Sequence, residues 1–328
     1  MSTVTKADPA TPAGSANPLT RRRPLGDRGF QLVALLSGLL VLVILVLITI
    51  TTAQQSTTWI STAGFKGIFS VQFDGNTHFG AMGVLYGSVI SSAIGIIIGA
   101  PVSIGIALLL TQVVPARWAR PFVYVIDLLA VVPSVVWGLW GIIVLVPWLQ
   151  KIYLHIASGV KGIPVLDALF DGDAVSGASF FTAGLILAIM ITPISTSLSR
   201  EVIATVPAID KEGAYALGAT RWEMIRGAVW PHSKGGVTGA ILVGFGRALG
   251  ETIAVALVIG DSVEVTSHLF YSGQSIPAII ALQFGEATGG EFRSALIGLG
   301  LFLFILTILV NLVARWFVER SARRGRGE

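Results

Sequence analysis

From Phe30 to Thr52 the chain runs through Leu, Val and Ile without one charged residue. A bilayer's hydrocarbon core takes about 20 apolar residues to cross as a helix. Backbone groups inside it must also find their hydrogen bonds within protein, so a run like this is expected to be helical. Five further runs of comparable length follow: Met82–Gln112, Pro121–Val146, Ser179–Leu198, Val237–Gly260 and Ser294–Phe317. The expectation is an all-α polytopic membrane protein with six transmembrane helices. Only 12% of the residues are charged, against roughly 25% in a soluble domain.

Arg21, Arg22, Arg23 and Arg28 precede the first run, as basic residues precede the core of a signal peptide. That core is about 7–15 residues long, however, and no small-residue cleavage site follows here, so the run is expected to stay as the first span. Residues 1–29, rich in Pro, Ala, Thr and Ser, are expected to form a disordered basic tail on the cytoplasmic side. The polar stretch Gln54–Phe79 carries Trp59, Phe65, Phe69 and Phe73 as candidate interfacial anchors. Pro147–Ala178 is expected to be loop with a short interfacial helix, and Pro101 and Pro133 to interrupt the second and third spans.

With the N-terminus inside, 17 of 22 Lys and Arg residues fall on the cytoplasmic side, and six spans return the C-terminus there. Lys66, Lys151, Lys161 and Arg293 lie outside, where Asp74, Asp167, Asp171, Asp173, Asp261, Glu264, Glu286 and Glu291 outnumber them. The basic balance is thus a topology signal and points to membrane lipid, with no nucleic acid partner implied. There is no cysteine, and His78, His155, His232 and His268 lack ligand spacing, so no metal or other cofactor is expected.

The second span carries Gly83, Gly87, Gly95 and Gly99 with Ser88, Ser91 and Ser92. Small residues four apart suit close helix packing, with a hydroxyl-lined path as the alternative. Three ionisable residues fall inside spans: Asp127, Arg247 and Glu251. Each costs at least about 2.5–3.5 kcal/mol near the bilayer centre and needs a reason. Arg247 and Glu251, four apart on one helix, are placed to pair, with Asp127 as a second partner. Two readings stay open. The pair pins helices together, or it lies with Asp127 on a translocation path where the guanidinium fork meets an oxyanion and Glu251 keeps binding weak.

Ahead of that span lies a polar connection, residues 200–235. It holds Glu212-Gly213-Ala214, three residues, Gly218, nine residues, and Ala228-Val229-Trp230-Pro231. The expected shape is helix, glycine turn, helix: Pro207 opens the first helix, Gly218 ends it, and Trp222 begins a return stopped by Pro231. This pattern resembles the EAA motif of ABC-importer permeases, with Gly213, Ala228 and Trp230 departing from it. Asp127-Leu-Leu-Ala-Val-Val-Pro-Ser-Val-Val-Trp-Gly-Leu-Trp-Gly141 and Arg247-Ala-Leu-Gly-Glu-Thr-Ile-Ala-Val255 resemble the phosphate-transport permeases, the first in a PstC-like form.

The resemblance covers about Met82 to Phe317. It implies a MetI-like fold over residues 82–317, a second homologous permease (PstA-like), two ABC ATPase subunits (PstB-like) and an external phosphate-binding protein. It also implies ATPase coupling through Glu212, Gly213, Ala214, Gly218 and Pro231, and functional sensitivity at Arg247 and Glu251. The chain itself has no Gly-x-x-x-x-Gly-Lys-Ser/Thr loop, so ATP hydrolysis falls to a separate subunit. The expected function is therefore a permease, not an enzyme, for phosphate import across the bacterial plasma membrane. A permease for sulfate or molybdate is the near alternative. An ion-coupled transporter relaying protons through Asp127, Arg247 and Glu251 is the distant one. No span pairs a nucleophile with a histidine, which disfavours an intramembrane enzyme.

Overall fold

Prolines decide where the long apolar runs bend, break or widen. A computed structural model describes residues 25–73, 78–170, 175–287 and 289–325. The chain divides into two units, Met1–Thr51 and Thr52–Glu328. The first contributes most of α1 (Leu25–Gln55), a single apolar helix that covers the expected first span. Residues 1–24 of the expected tail lie outside the described residues, as do Asp74, Asp171 and Asp173 of the outer loops.

The second unit contains α2 (Thr57–Ile68), α3 (Met82–Leu108), α4 (Ala116–Val131), α5 (Ser134–Trp140), α6 (Val146–Val160), α7 (Pro164–Phe170), α8 (Phe180–Ala204), α9 (Ala208–Ala216), α10 (Arg221–Met224), α11 (Trp230–Leu249), α12 (Ile253–Val258), α13 (Ile276–Gln283) and α14 (Gly290–Gly325). Among the described residues the only β pairing is one bridge between Phe73 and Phe79.

Three turns of π-helix, Leu109–Val113, Gly141–Leu145 and Ile225–Val229, each end two residues before a proline: Pro115, Pro147 and Pro231. A proline ring collides with the carbonyl four residues back and has no N–H to offer. One extra residue in the turn moves that carbonyl aside, so helix continues through Pro147 and Pro231. The expectation that Pro231 stops the helix is corrected accordingly: it sits in the first turn of α11. α3 likewise runs on through Pro101.

Pro133 does interrupt. Val132 takes ψ 126° and Pro133 ψ 139°, extended values that end α4 and start α5, because the residue before a proline is driven out of the helical region. The third crossing therefore shifts from Pro121–Val146 to Ser134–Val160, and the expected loop from Pro147 is helix to Val160. The described residues offer five helices long and apolar enough to cross a membrane: Gly29–Gln55, Met82–Val113, Ser134–Val160, Phe180–Ala204 and Gly290–Val313. The expected fifth span, Val237–Gly260, is not one helix, because it breaks between Leu249 and Ile253.

α3 and α8 form the parallel centre. A Cβ on Gly95 would lie 2.9 Å from Leu187 Cβ, and one on Gly99 2.9 Å from Ile191. Gly87 faces the Gln274 carbonyl, where a Cβ would come within 2.0 Å. Close packing is thus what the small residues of α3 serve. Ser88, Ser91 and Ser92 are buried, with Ser88 and Ser91 donating back to the carbonyls of Val84 and Gly87. Ser88 Oγ also accepts from Ile276 N–H at 2.8 Å, tying α13 to α3.

Of the aromatic residues expected at the interface, Trp59 turns inward, Phe73 is half-buried and Phe69 stays exposed. Trp59 is fully buried, and its indole N–H donates to the Phe79 carbonyl at 2.9 Å. Its ring fills the gap over Gly298 of α14, beside Leu296 and Leu299. Phe69 meets Phe302 edge-on and Phe73 meets Phe79, while the Phe65 side chain lies outside the described residues. Trp59→Ala should cost about 3–5 kcal/mol, as large buried aromatics do. Thermal unfolding of the purified complex, followed by light scattering, checks the loss.

Candidate functional site

Coupling loop geometry begins with a short, stiff link. α8 ends at Ala204 and α9 starts at Ala208, with Pro207 as N-cap at φ −56°. Val206 N–H donates to the Ile203 carbonyl, and both side chains are buried with Ala107, Met224, Ile225, Val229 and Val237. The base of the loop is thereby fixed to α3, α8 and α11.

At its far end α9 closes in a Schellman motif. Gly218 N–H donates to the Tyr215 carbonyl and Ala219 N–H to the Ala214 carbonyl, with Gly218 at φ +83°. That left-handed conformation is what makes glycine the fitting residue. Thr220 then starts α10 through a reciprocal capping box: its hydroxyl receives Glu223 N–H, and Glu223 Oε2 receives Thr220 N–H at 2.8 Å. Those bonds, from the Thr220 backbone first and its hydroxyl second, hold the Glu223 carboxyl below its ordinary range. The contribution is present at neutral pH and fades as acid reprotonates the group. Thr220→Ala should cost about 1 kcal/mol of local stability, visible as faster amide exchange across residues 220–224.

The outward side of this turn is bare. Glu212, Gly213 and Gly218 are exposed, as are Ile209 (75%), Leu217 (91%) and Trp222 (66%), while Ala214 is half-buried against the base. Carboxylate, apolar rim and glycine gap thus lie side by side and uncovered among the described residues. From Arg221 the backbone continues as helix through the π turn into α11 as far as Leu249. The turn and Arg247 share one rod about 40 Å long.

α11 packs antiparallel on α8: Gly244 faces Ser195 and Gly236 faces Val202. Elsewhere α11 also packs on α3 and α14, but Arg247 and Val243 are exposed and the Cβ directions of Gly239 and Gly246 are unobstructed. Arg247 has no acidic partner among the described residues. The expected pair with Glu251 does not form, because α11 stops at Leu249 in a tightened turn: Gly250 N–H reaches Gly246 and Glu251 N–H reaches Ala248. Glu251 lies beyond the helix, and its Oε1 accepts from Ala254 N–H at 3.4 Å, capping α12 instead. A glycine and a carboxylate able to bond nearby backbone both favour such a break.

This break has a neighbour. A Cβ on Gly138 of α5 would lie 2.9 Å from Ala254 Cα, and one on Gly141 2.8 Å from Val258. α5 and α12 therefore run parallel, and the interruptions at Val132–Pro133 and Gly250–Thr252 stand at one depth. Broken helices side by side are tolerated at membrane depth where a cavity or a partner covers them.

Asp127 is not Arg247's second partner. It sits on the stripe of α4 that faces α8, where Ser197 Oγ donates to Oδ1 at 3.1 Å and Arg200 Nη2 stands 4.0 Å from Oδ2. Arg200 went unread in the sequence because its position beside Glu201, at a span's cytoplasmic end, explained its charge as topology. A hydroxyl, Ser197, one turn away was the available signal.

With this geometry in view, the relatives agree. Residues 99–327 match the family described as "Binding-protein-dependent transport system inner membrane component". The "Phosphate transport system permease protein PstC" of Mesorhizobium japonicum is 41% identical over 328 residues, covering 99% of this chain and all of the relative. That of Haemophilus influenzae is 39% identical over 295 residues, covering 89% and 92%. A chain of a bacterial alginate ABC transporter, solved with an alginate-bound periplasmic protein, superposes with TM-score 0.60 at 16% identity, covering 92% of this chain and 99% of that one; it speaks to fold alone. A polytopic helical chain with an exposed glycine turn between its helices, matched over most of its length by such relatives, belongs to the PstC-type permeases of the binding-protein-dependent transport family.

Proposed function

We propose that this chain is the permease subunit of an ATP-driven importer that moves inorganic phosphate across the bacterial cell membrane into the cytoplasm. The observation that carries the reading is the continuous helix that starts at Arg221, just after the Gly218 turn, and runs past Arg247. A soluble motor on the turn acts directly on the residue suited to an oxyanion. The chain is a transport component, and its partners are an ABC ATPase and an extracytoplasmic binding protein. In the finer reading, two PstB-like ATPases grip α9 through Glu212, Gly213, Ala214 and the Gly218 turn. A PstA-like permease then covers the Arg247 face of α11.

Both termini are cytoplasmic in this reading, and α11 with α12 supplies the sixth crossing as a discontinuous helix. Anions and ions are commonly met at such breaks in transporters. ATP-driven closure of the ATPases displaces α9, the rod carries the displacement to Arg247, and exposure of the site alternates between the two sides. Glu251, on the far side of the break, and Arg247 act as separate elements of the path. Pro231, in the first turn of α11, keeps the rod's widened turn in place.

Uptake of radiolabelled phosphate by a deletion strain carrying this chain and its neighbouring transport genes provides the test. Restored uptake that excess sulfate does not compete away is the expected result. Competition by sulfate moves the assignment to another oxyanion, and loss of uptake on collapsing the proton gradient at constant ATP moves it to a secondary transporter.

A further inference from the structure

α4 is held to the rest of the chain along one narrow stripe. Ala119, Val123, Ile126, Asp127 and Ala130 are the buried or half-buried side of α4, which packs on α8 and the Leu109–Val113 turn, while Phe122, Tyr124, Val125, Leu128 and Val131 are exposed. Within that stripe the polar contact is Asp127 with Ser197 and Arg200 of α8. Two chain segments meet there. Arg200 lies eight residues before the start of α9, across a link whose Ile203 and Val206 are buried. Asp127 lies six residues before Pro133, where α4 breaks into the α5 segment that packs on α12 beside Glu251. On the register of α8 against α11, Arg200 stands about 12 Å nearer the coupling loop than Arg247 does.

We infer that Asp127 and Arg200 form a latch that makes α4 move with α8, so that displacement of the coupling helix reaches both broken helices and not α11 alone. Inorganic phosphate import as proposed above is the activity it serves; Asp127 and Arg200 are positioning residues that do not touch the anion. The geometry suits a latch. The carboxylate is fixed by Ser197, and the guanidinium sits at 4.0 Å with both side chains partly exposed, at 46% and 28%. Such a partly exposed pair is energetically weak, so it can hold two helices in register without being needed to fold either one. It would transmit through geometry and contribute little to stability. Without it α4 rests on apolar contacts along its stripe, and the break at Pro133 is free to lag behind the break at Gly250.

The test uses the assembled transporter in proteoliposomes with its binding protein, reading phosphate uptake and ATP hydrolysis together. Asp127→Asn and Arg200→Gln should each lower the phosphate moved per ATP at least about fivefold while the complex purifies at normal stoichiometry. The exchanged double variant Asp127→Arg with Arg200→Asp should recover that ratio to within about twofold. The natural chain has no cysteine. Spin labels at Tyr124→Cys and Ala204→Cys therefore report α4 against α8 directly, independent of which anion is carried. That distance should stay constant through the nucleotide cycle, and should change with nucleotide once Asp127→Asn is added. Unchanged coupling in both single variants, or an exchanged pair that assembles without recovering, overturns the latch. A label distance that changes with nucleotide in the otherwise natural chain does so too. Wild-type complex that hydrolyses ATP but moves no phosphate instead overturns the transport assignment, and leaves the label distances to judge the latch alone.

Discussion

Arg247→Ala is expected to abolish phosphate uptake, at least a hundredfold down, in a complex that still assembles and still binds its ATPase. The size of the effect follows from what the residue does not do. Arg247 has no acidic partner among the described residues, and it is exposed on α11. Its removal costs the chain little packing. A guanidinium that contributes nothing to the fold, at membrane depth where charge is expensive, is retained for an anion or a partner. Arg247→Lys distinguishes the two: a single ammonium keeps the charge but loses the planar fork, so uptake should fall about tenfold or more with the apparent KM rising. Wild-type uptake by an assembled Arg247→Ala complex sinks the assignment.

Gly218→Pro should detach the ATPase, lowering its recovery with affinity-purified permease by at least about tenfold. Proline fixes φ near −65°, while the turn needs +83° and uses the Gly218 N–H as a donor. The Schellman closure is then lost and α10 starts in the wrong direction, so the apolar rim of Leu217 and Trp222 no longer stands beside Glu212. Glu212→Lys probes the same surface without touching the backbone. Glu212 is exposed, so folding should survive while docking fails. If both variants co-purify the ATPase at normal stoichiometry, the docking surface lies elsewhere.

Much of this was legible in the sequence, for reasons that can be stated. Apolar run length placed α1, α3, α8 and α14, and Pro207 and Gly218 marked both ends of α9, because their dihedral demands are local. What escaped notice was set between segments. The pairing of Arg247 with Glu251 assumed a helix through Gly250, but the carboxylate does better by capping Ala254 N–H than by following α11. Proline also proved ambiguous. Pro133 breaks its helix, while Pro147 and Pro231 are absorbed by a widened turn upstream, and the residue type alone does not say which. Trp59, polar-edged and near a membrane end, suggested the interface; only Gly298 on a helix more than 200 residues away makes room for it inside. Asp127 was noticed for its charge and assigned the wrong partner, since its true neighbours sit on α8.

The paired interruptions at Pro133 and Gly250 carry a consequence for how the cell must make this protein. A newly inserted copy presents two interrupted helices and Arg247, which has no acidic partner among the described residues, before any companion subunit is in place. Synthesis without its companion subunits should leave a short-lived chain that membrane proteases clear, and its abundance should follow that of whichever protein covers α11. Supply of the transporter would then be set by its scarcest subunit, with the surplus of this one removed instead of stored.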